Sequence, residues 1–252
     1  MDSTVDSTVD NEEIARFAAM ADDWWDPSGK FRPLHQLNPA RLTFIRDHLA
    51  AHFGRDATGP EPLVGLKILD IGCGGGLLTE PLCRLGAAVT GIDAGAEAIA
   101  VARAHADQMG LEIEYHHRPP ETLSEESGGY DVVLNMEVVE HVAGLPAFLA
   151  ASAGLVRPGG AMVLSTLNRT LKSLALAKIG AEYILRWVPV GTHDWRKFRR
   201  PSELVRHLRP AGVELRALKG IDYIPTDGTW VLSDNLDVNY LMFAEKAETA
   251  GS

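Results

Sequence analysis

Cysteine is nearly absent from this 252-residue chain: only Cys73 and Cys83 occur, too far apart for a C-x-x-C pair. A disulfide framework and a cysteine-built zinc site therefore have little to rest on, and a reducing, cytoplasmic setting is expected. Cations are also in short supply, with 24 Lys and Arg against 34 Asp and Glu and a formal net charge of −10. Nucleic-acid binding needs clustered cations, so no nucleic-acid partner is expected. Long apolar runs are missing too: none approaches the ~20 residues that cross a bilayer as a helix. The opening repeat, residues 1–10, has neither the basic flank nor the apolar stretch of a secretory signal and reads as a disordered tail. What remains is ordinary globular material, 46% apolar and 23% charged, enough for one core.

The pattern predicts a helical extension over 11–62, a main domain over 63–246 and a tail over 247–252. In the extension, a helix opens at Asn11 and ends near Trp24-Trp25-Asp26, and a second starts with Asn38 as N-cap and Pro39 at its first position. From Lys67 onward strand-like and helix-like stretches alternate: strands at 67–71, 88–93, 113–117, 130–136 and 161–167, helices at 77–85, 96–109 and 146–155. Alternation of this kind implies βαβ units and a largely parallel sheet covered on both faces. Arg157-Pro158-Gly159-Gly160 reads as a tight turn into the fifth strand. An apolar helical insertion at about 168–200 follows that strand, then a helix over 201–208 and two last strands near 215–224 and 238–244. The expected fold is α/β and Rossmann-like, with seven strands.

Leu69-Asp70-Ile71-Gly72-Cys73-Gly74-Gly75-Gly76 is the strongest local signal, a strand running into four glycines. Glycine lets a ligand approach the backbone at the carboxyl edge of the sheet, where open α/β sheets bind cofactors. The spacing is not G-x-G-x-x-G, since Leu77 stands where the third glycine belongs, which counts against a nicotinamide-dependent oxidoreductase. About twenty residues further on, Asp93 ends the second strand, where nucleoside-binding sheets place a carboxylate for the ribose hydroxyls. Its other reading is an N-cap for the next helix. Glu137, Glu140 and His141 stand at i, i+3 and i+4, so a helix starting there would set them on one face, as cation ligands or as a solvated helix start.

The glycine stretch, Asp93, Tyr130-Asp131-Val132-Val133 and the Arg157–Gly160 turn together resemble class I S-adenosylmethionine (SAM) methyltransferases. Within that class the chain resembles the ubiquinone-biosynthesis O-methyltransferase family. The narrower match rests on Trp24-Trp25-Asp26, Pro33-Leu34-His35, Asn38–Leu42, Glu140-His141-Val142, Ser165–Arg169, Gly180–Arg186, Gly191–Asp194 and Asp237–Tyr240. The resemblance implies that Arg41, Gly72, Asp93 and Met136 contact SAM, with Gly74 in the same loop and Asp70 facing the cationic end of the cofactor. It implies Mg²⁺ at Glu137, Glu140 and His141, although a histidine ligand is unusual for that ion. Arg118-Pro119-Pro120-Glu121 departs from the acid and small polar residues that many class members carry beside the adenine.

The implied substrate is a polyprenylated phenol or quinol, methylated at two hydroxyls of the ring. A phenol ionises near pH 10, so the reaction needs a base, for which His141 is the candidate, or a cation that acidifies the hydroxyl. The apolar segment Leu171–Val190, bordered by Lys197, Arg199 and Arg200, suits either peripheral contact with anionic lipids of the cytoplasmic membrane or a lid over the site. Assembly with other enzymes of ubiquinone biosynthesis is a further implication. A non-catalytic lipid-binding module on the same fold is the remaining alternative, opposed by Asp70, Gly72, Asp93 and His141 all being present.

Overall fold

The computed structural model describes residues 24–29, 31–123, 129–175 and 195–248. Helix α1 (Arg32–His52) precedes the sheet, followed by β1 (Lys67–Ile71), α2 (Thr79–Arg84), β2 (Ala88–Asp93), α3 (Ala96–Met109), β3 (Glu114–His117), β4 (Tyr130–Met136), α4 (Leu145–Gly154) and β5 (Val156–Leu167). Then come α5 (Pro201–Leu208), β6 (Val213–Ile224), β7 (Thr229–Ser233) and β8 (Asn239–Lys246). All eight strands form one sheet in the order β3-β2-β1-β4-β5-β8-β6-β7. The first five pair in parallel, while β8 runs antiparallel to β5 and to β6, and β7 antiparallel to β6.

Strand alternation divides the core between the two faces of the sheet. Val132, Leu134 and Met136 of β4 pack with Phe44, Ile45 and Leu49 of α1 and Leu82 of α2. Val133, one residue out of step, joins Phe148 and Leu149 of α4 and Leu204 and Leu208 of α5 on the opposite face. A smaller cluster of Cys73, Ile99, Ala102, Ala106 and Tyr115 seats α3. The strand order reverses direction between β1 and β4, so the loops leaving these two neighbours diverge and open a crevice at their carboxyl ends.

Several expectations are corrected. The sheet has eight strands rather than seven; the extra one, β7, forms an edge hairpin with β6. Asn38-Pro39 does not start a helix: α1 begins seven residues earlier, with Phe31 as N-cap, Pro33 in its first turn and Pro39 inside it, and the Asn38 side chain donates to the Leu77 carbonyl at 3.0 Å. Tertiary packing of Phe44, Ile45 and Leu49 outweighs the one backbone bond that Pro39 cannot make. Residues 157–160 lie within β5, beside a register shift against β4, rather than in a separate turn. Of the helical insertion expected at about 168–200, Leu171–Ser173 is helical, and residues 176–194 lie outside the described residues, as does the helix expected to open at Asn11. Among the described residues no helix is long and apolar enough to cross a membrane.

Candidate active site at the carboxyl edge of the sheet

The ends of β1, β2 and β4 bring most of the sequence-predicted residues to one edge. Leaving β1, the chain turns through Gly72 (φ +75°), Gly74 (φ +53°) and Gly76 (φ +91°), a backbone path that L side chains rarely follow. At Gly72 there is also no room, since a Cβ there would run into the Val138 side chain from the turn after β4. Asp93, at the end of β2, accepts from the Gly74 N–H at 2.9 Å and from the Gly95 N–H at 2.7 Å. Asp93 is not itself the N-cap of the next helix, which is Gly95; its carboxylate ties the glycine turn to that capping residue at the start of α3.

Asp70 is 2% exposed. Burial, reinforced by the charge of Asp93 and partly offset by Arg41, pushes its carboxyl up to about 8. Burial likewise raises Asp93, against the pull of its backbone hydrogen bonds. An acid held this far from its ordinary range at the floor of a crevice is poised to change charge when a cation arrives.

After β4 the backbone takes an unusual step. Glu137 has φ +57°, the one positive φ outside glycine among the described residues. The expected helix over Glu137–His141 does not form; these residues make a turn, and α4 opens only at Leu145. Strain at Glu137 is held by its partners: Arg41 donates to Oε1 at 2.6 Å and Ser165 donates to the same oxygen at 2.8 Å. Burial would raise Glu137, but Arg41 and the hydrogen bonds from Ser165 and Glu140 hold it below its ordinary value. Its neighbour Glu140, 4% exposed, is pushed up to about 7 by burial and by Glu137, and Thr166 donates to it at 2.7 Å. His141 follows in the same turn, and its charge lowers Glu140.

Arg41, Asp70, Gly72, Gly74, Asp93, Met136, Glu137, Glu140 and His141 thus all lie on the carboxyl ends of β1, β2 and β4 or on the part of α1 facing them. The cation-site arrangement is not formed. Both carboxylates are turned to protein donors, and among the described residues no three His, Cys, Asp or Glu side chains are grouped to hold a metal. As they stand, these donors do not fit Mg²⁺. For the adenosyl group the donors do fit: a glycine cradle and a carboxylate at the end of β2 meet at the switch point.

Sequence reasoning missed the layer over the glycine turn. Trp25 Nε1 donates to the Gly75 carbonyl at 2.8 Å, and its ring stacks on His105 of α3 at 3.5 Å. His105 in turn meets buried Glu80 of α2 at 2.6 Å. The Trp24 indole lies directly on Gly74 and Gly75. Trp24-Trp25 had been visible as the end of a helix and as part of the family resemblance; two adjacent aromatics before a turn carry no signal of which loop they will cover.

Sheet order, switch point and glycine cradle define a SAM-dependent methyltransferase, and residues 69–164 match the family described as Methyltransferase domain. The solved magnesium protoporphyrin IX methyltransferase from Synechocystis PCC 6803 with bound SAH shares the fold at a TM-score of 0.62, 20% identity and 94% coverage of each chain. The chain belongs to the ubiquinone biosynthesis O-methyltransferase family. It is 55% identical over 239 residues to the member from Paramagnetospirillum magneticum, covering 95% of this chain and 96% of the relative, and 52% identical over 240 residues to that from Chelativorans sp., covering 95% of each.

Proposed function

We propose that this enzyme transfers the methyl group of SAM to phenolic hydroxyls of polyprenylated catechol and quinol intermediates, serving both O-methylation steps of ubiquinone biosynthesis. The carrying observation is the 55% identity over 95% of the chain to an enzyme named for that biosynthesis. SAM, when bound, supplies a methyl already made electrophilic by a sulfonium whose departure is neutral. The protein's task is then to orient the acceptor oxygen and take its proton.

The site residues fit those tasks. Asp93 and the turn at Gly72 and Gly74 receive the nucleoside and the amino-acid end, Asp70 faces the cationic end, and Met136, at the buried end of β4, packs against the cofactor. Arg41 serves through its pair with Glu137, which sets the backbone carrying Glu140 and His141. His141 is the base, next to a Glu140 able to respond to its charge. The basic residues Lys197, Arg199 and Arg200 serve peripheral contact with anionic lipid, from which a membrane-dissolved substrate is drawn, and association with the other enzymes of the route.

The test is methyl transfer from labelled SAM to a short-chain 3-demethylubiquinol and to a 2-polyprenyl-6-hydroxyphenol analogue, with cosedimentation on anionic liposomes in parallel. Methylation of both acceptors is expected. Binding of SAM without methylation of either would overturn the substrate assignment.

A further inference from the structure

Trp24 stands out among the residues that no catalytic role has absorbed. Its indole lies flat against the glycine turn: a Cβ at Gly74 would fall 2.5 Å from the six-membered ring, and one at Gly75 2.6 Å from Cγ. The other side of the ring is stacked on Phe31, with centroids 3.9 Å apart and planes 10° from parallel. Its backbone is tied as well, because the Trp24 carbonyl meets His35 Nε2 at 2.8 Å. Next to it, Trp25 is bonded to the Gly75 carbonyl and stacked on His105. The pair is thus clamped to the turn from both residues.

One atom of this assembly is unsatisfied. Trp24 Nε1 is buried and has no hydrogen-bond partner among the described residues. An indole nitrogen is a donor only, and leaving such a group unpaired in the interior costs stability, so its persistence calls for an explanation. Its position supplies one: the ring covers the two glycines at the mouth of the donor cradle.

We propose that Trp24 is a binding residue for the methyl donor, its N–H serving an acceptor oxygen of the donor's amino-acid end, with Trp25 as the positioning residue that pins the indole over Gly74 and Gly75. This rests on reading the glycine turn and Asp93 as the SAM site. Absence of side chains at Gly74 and Gly75 is then required by the indole that lies against them. Replacing either glycine with alanine would displace the ring.

The experiment is calorimetric titration of the full chain with S-adenosylhomocysteine, followed by intrinsic fluorescence, for wild type, Trp24→Phe, Trp25→Phe and Asp93→Asn. Trp24→Phe keeps an aromatic ring on the glycines but has no N–H, and is expected to weaken binding about tenfold. Its KM for SAM should rise while kcat at saturating SAM stays within about twofold, the split expected of a residue that binds reactant and transition state alike. Trp25→Phe should weaken binding about threefold, acting through its neighbour. The fluorescence change on ligand binding should persist in Trp25→Phe and vanish in Trp24→Phe. Unchanged affinity and an unchanged fluorescence response in Trp24→Phe would overturn the proposal, even though loss of binding in Asp93→Asn left the donor site standing. Failure of wild type to bind at all would remove the donor site and the role of Trp24 with it.

Discussion

At the residue scale, Asp70 shows how burial turns an ordinary side chain into a responsive one. Its carboxyl, pushed up to about 8 from 3.8, keeps its proton in the folded protein over a range where the unfolded chain has lost it. The folded state therefore binds more protons between about pH 4 and 8, and stability falls as pH rises through that window. A cation settling beside Asp70 favours the carboxylate and expels the proton. Titration of SAM near pH 7 in buffers of different ionisation enthalpy should thus report proton release, and Asp70→Asn should abolish it. Equal heats in all buffers for wild type would remove Asp70 from the cationic end of the donor. For His141, substitution by alanine should lower turnover about 10²- to 10⁴-fold, the range that a positioned acid or base contributes, with SAM affinity nearly unchanged. Unaltered turnover would exclude it as the base.

At the scale of elements, the strained turn after β4 depends on a helix far away in sequence. Arg41 lies 96 residues before Glu137, 4% exposed on α1, and its pair with Glu137 is what a left-handed glutamate needs to stay in place. Arg41→Ala leaves that carboxylate without its counter-charge in a largely buried position and should cost about 3 kcal/mol in urea unfolding. Combined with Glu137→Gln, the loss should be smaller than the sum of the two single losses, because the glutamine no longer needs the cation. Additive losses would show that α1 and the β4 turn are not coupled through this pair.

For the whole molecule, the continuous sheet matters most. Strands from the parallel half and the antiparallel half share β5 and β8, paired over seven consecutive residues from Ala161↔Glu245 to Leu167↔Asn239. Both layers of helices pack on that one sheet. Ligand binding at the switch point should therefore stabilise the sheet as one unit. A hundredfold excess of S-adenosylhomocysteine over its Kd should add about 2.7 kcal/mol, read as a rise of several degrees in a single melting transition. A transition that splits, or one that does not move, would contradict a shared core with the site at its edge.

How much of this was legible beforehand differs by feature, for a physical reason. Local pattern determined the elements whose residues answer to their immediate neighbours: the β-branched runs of β1, β2 and β4, the glycine turn that needs positive φ, and Asp93 at the end of its strand. These are set by backbone sterics and period, which act within a few residues. The helix forecast at Glu137 failed because i, i+3 and i+4 spacing describes a helix face only if the backbone is helical, and there Arg41 and Ser165 hold it otherwise. Asn38-Pro39 misled in the same way, a local start signal overridden by packing along α1. Sequence alone could place Asp70, Gly72, Gly74 and Asp93 at one edge. Only the tertiary structure decided that Trp24 and Trp25 cover the glycines and that Glu137 answers to Arg41, because these contacts join residues 50 or more positions apart. Long-range pairings of this kind leave no period in the chain.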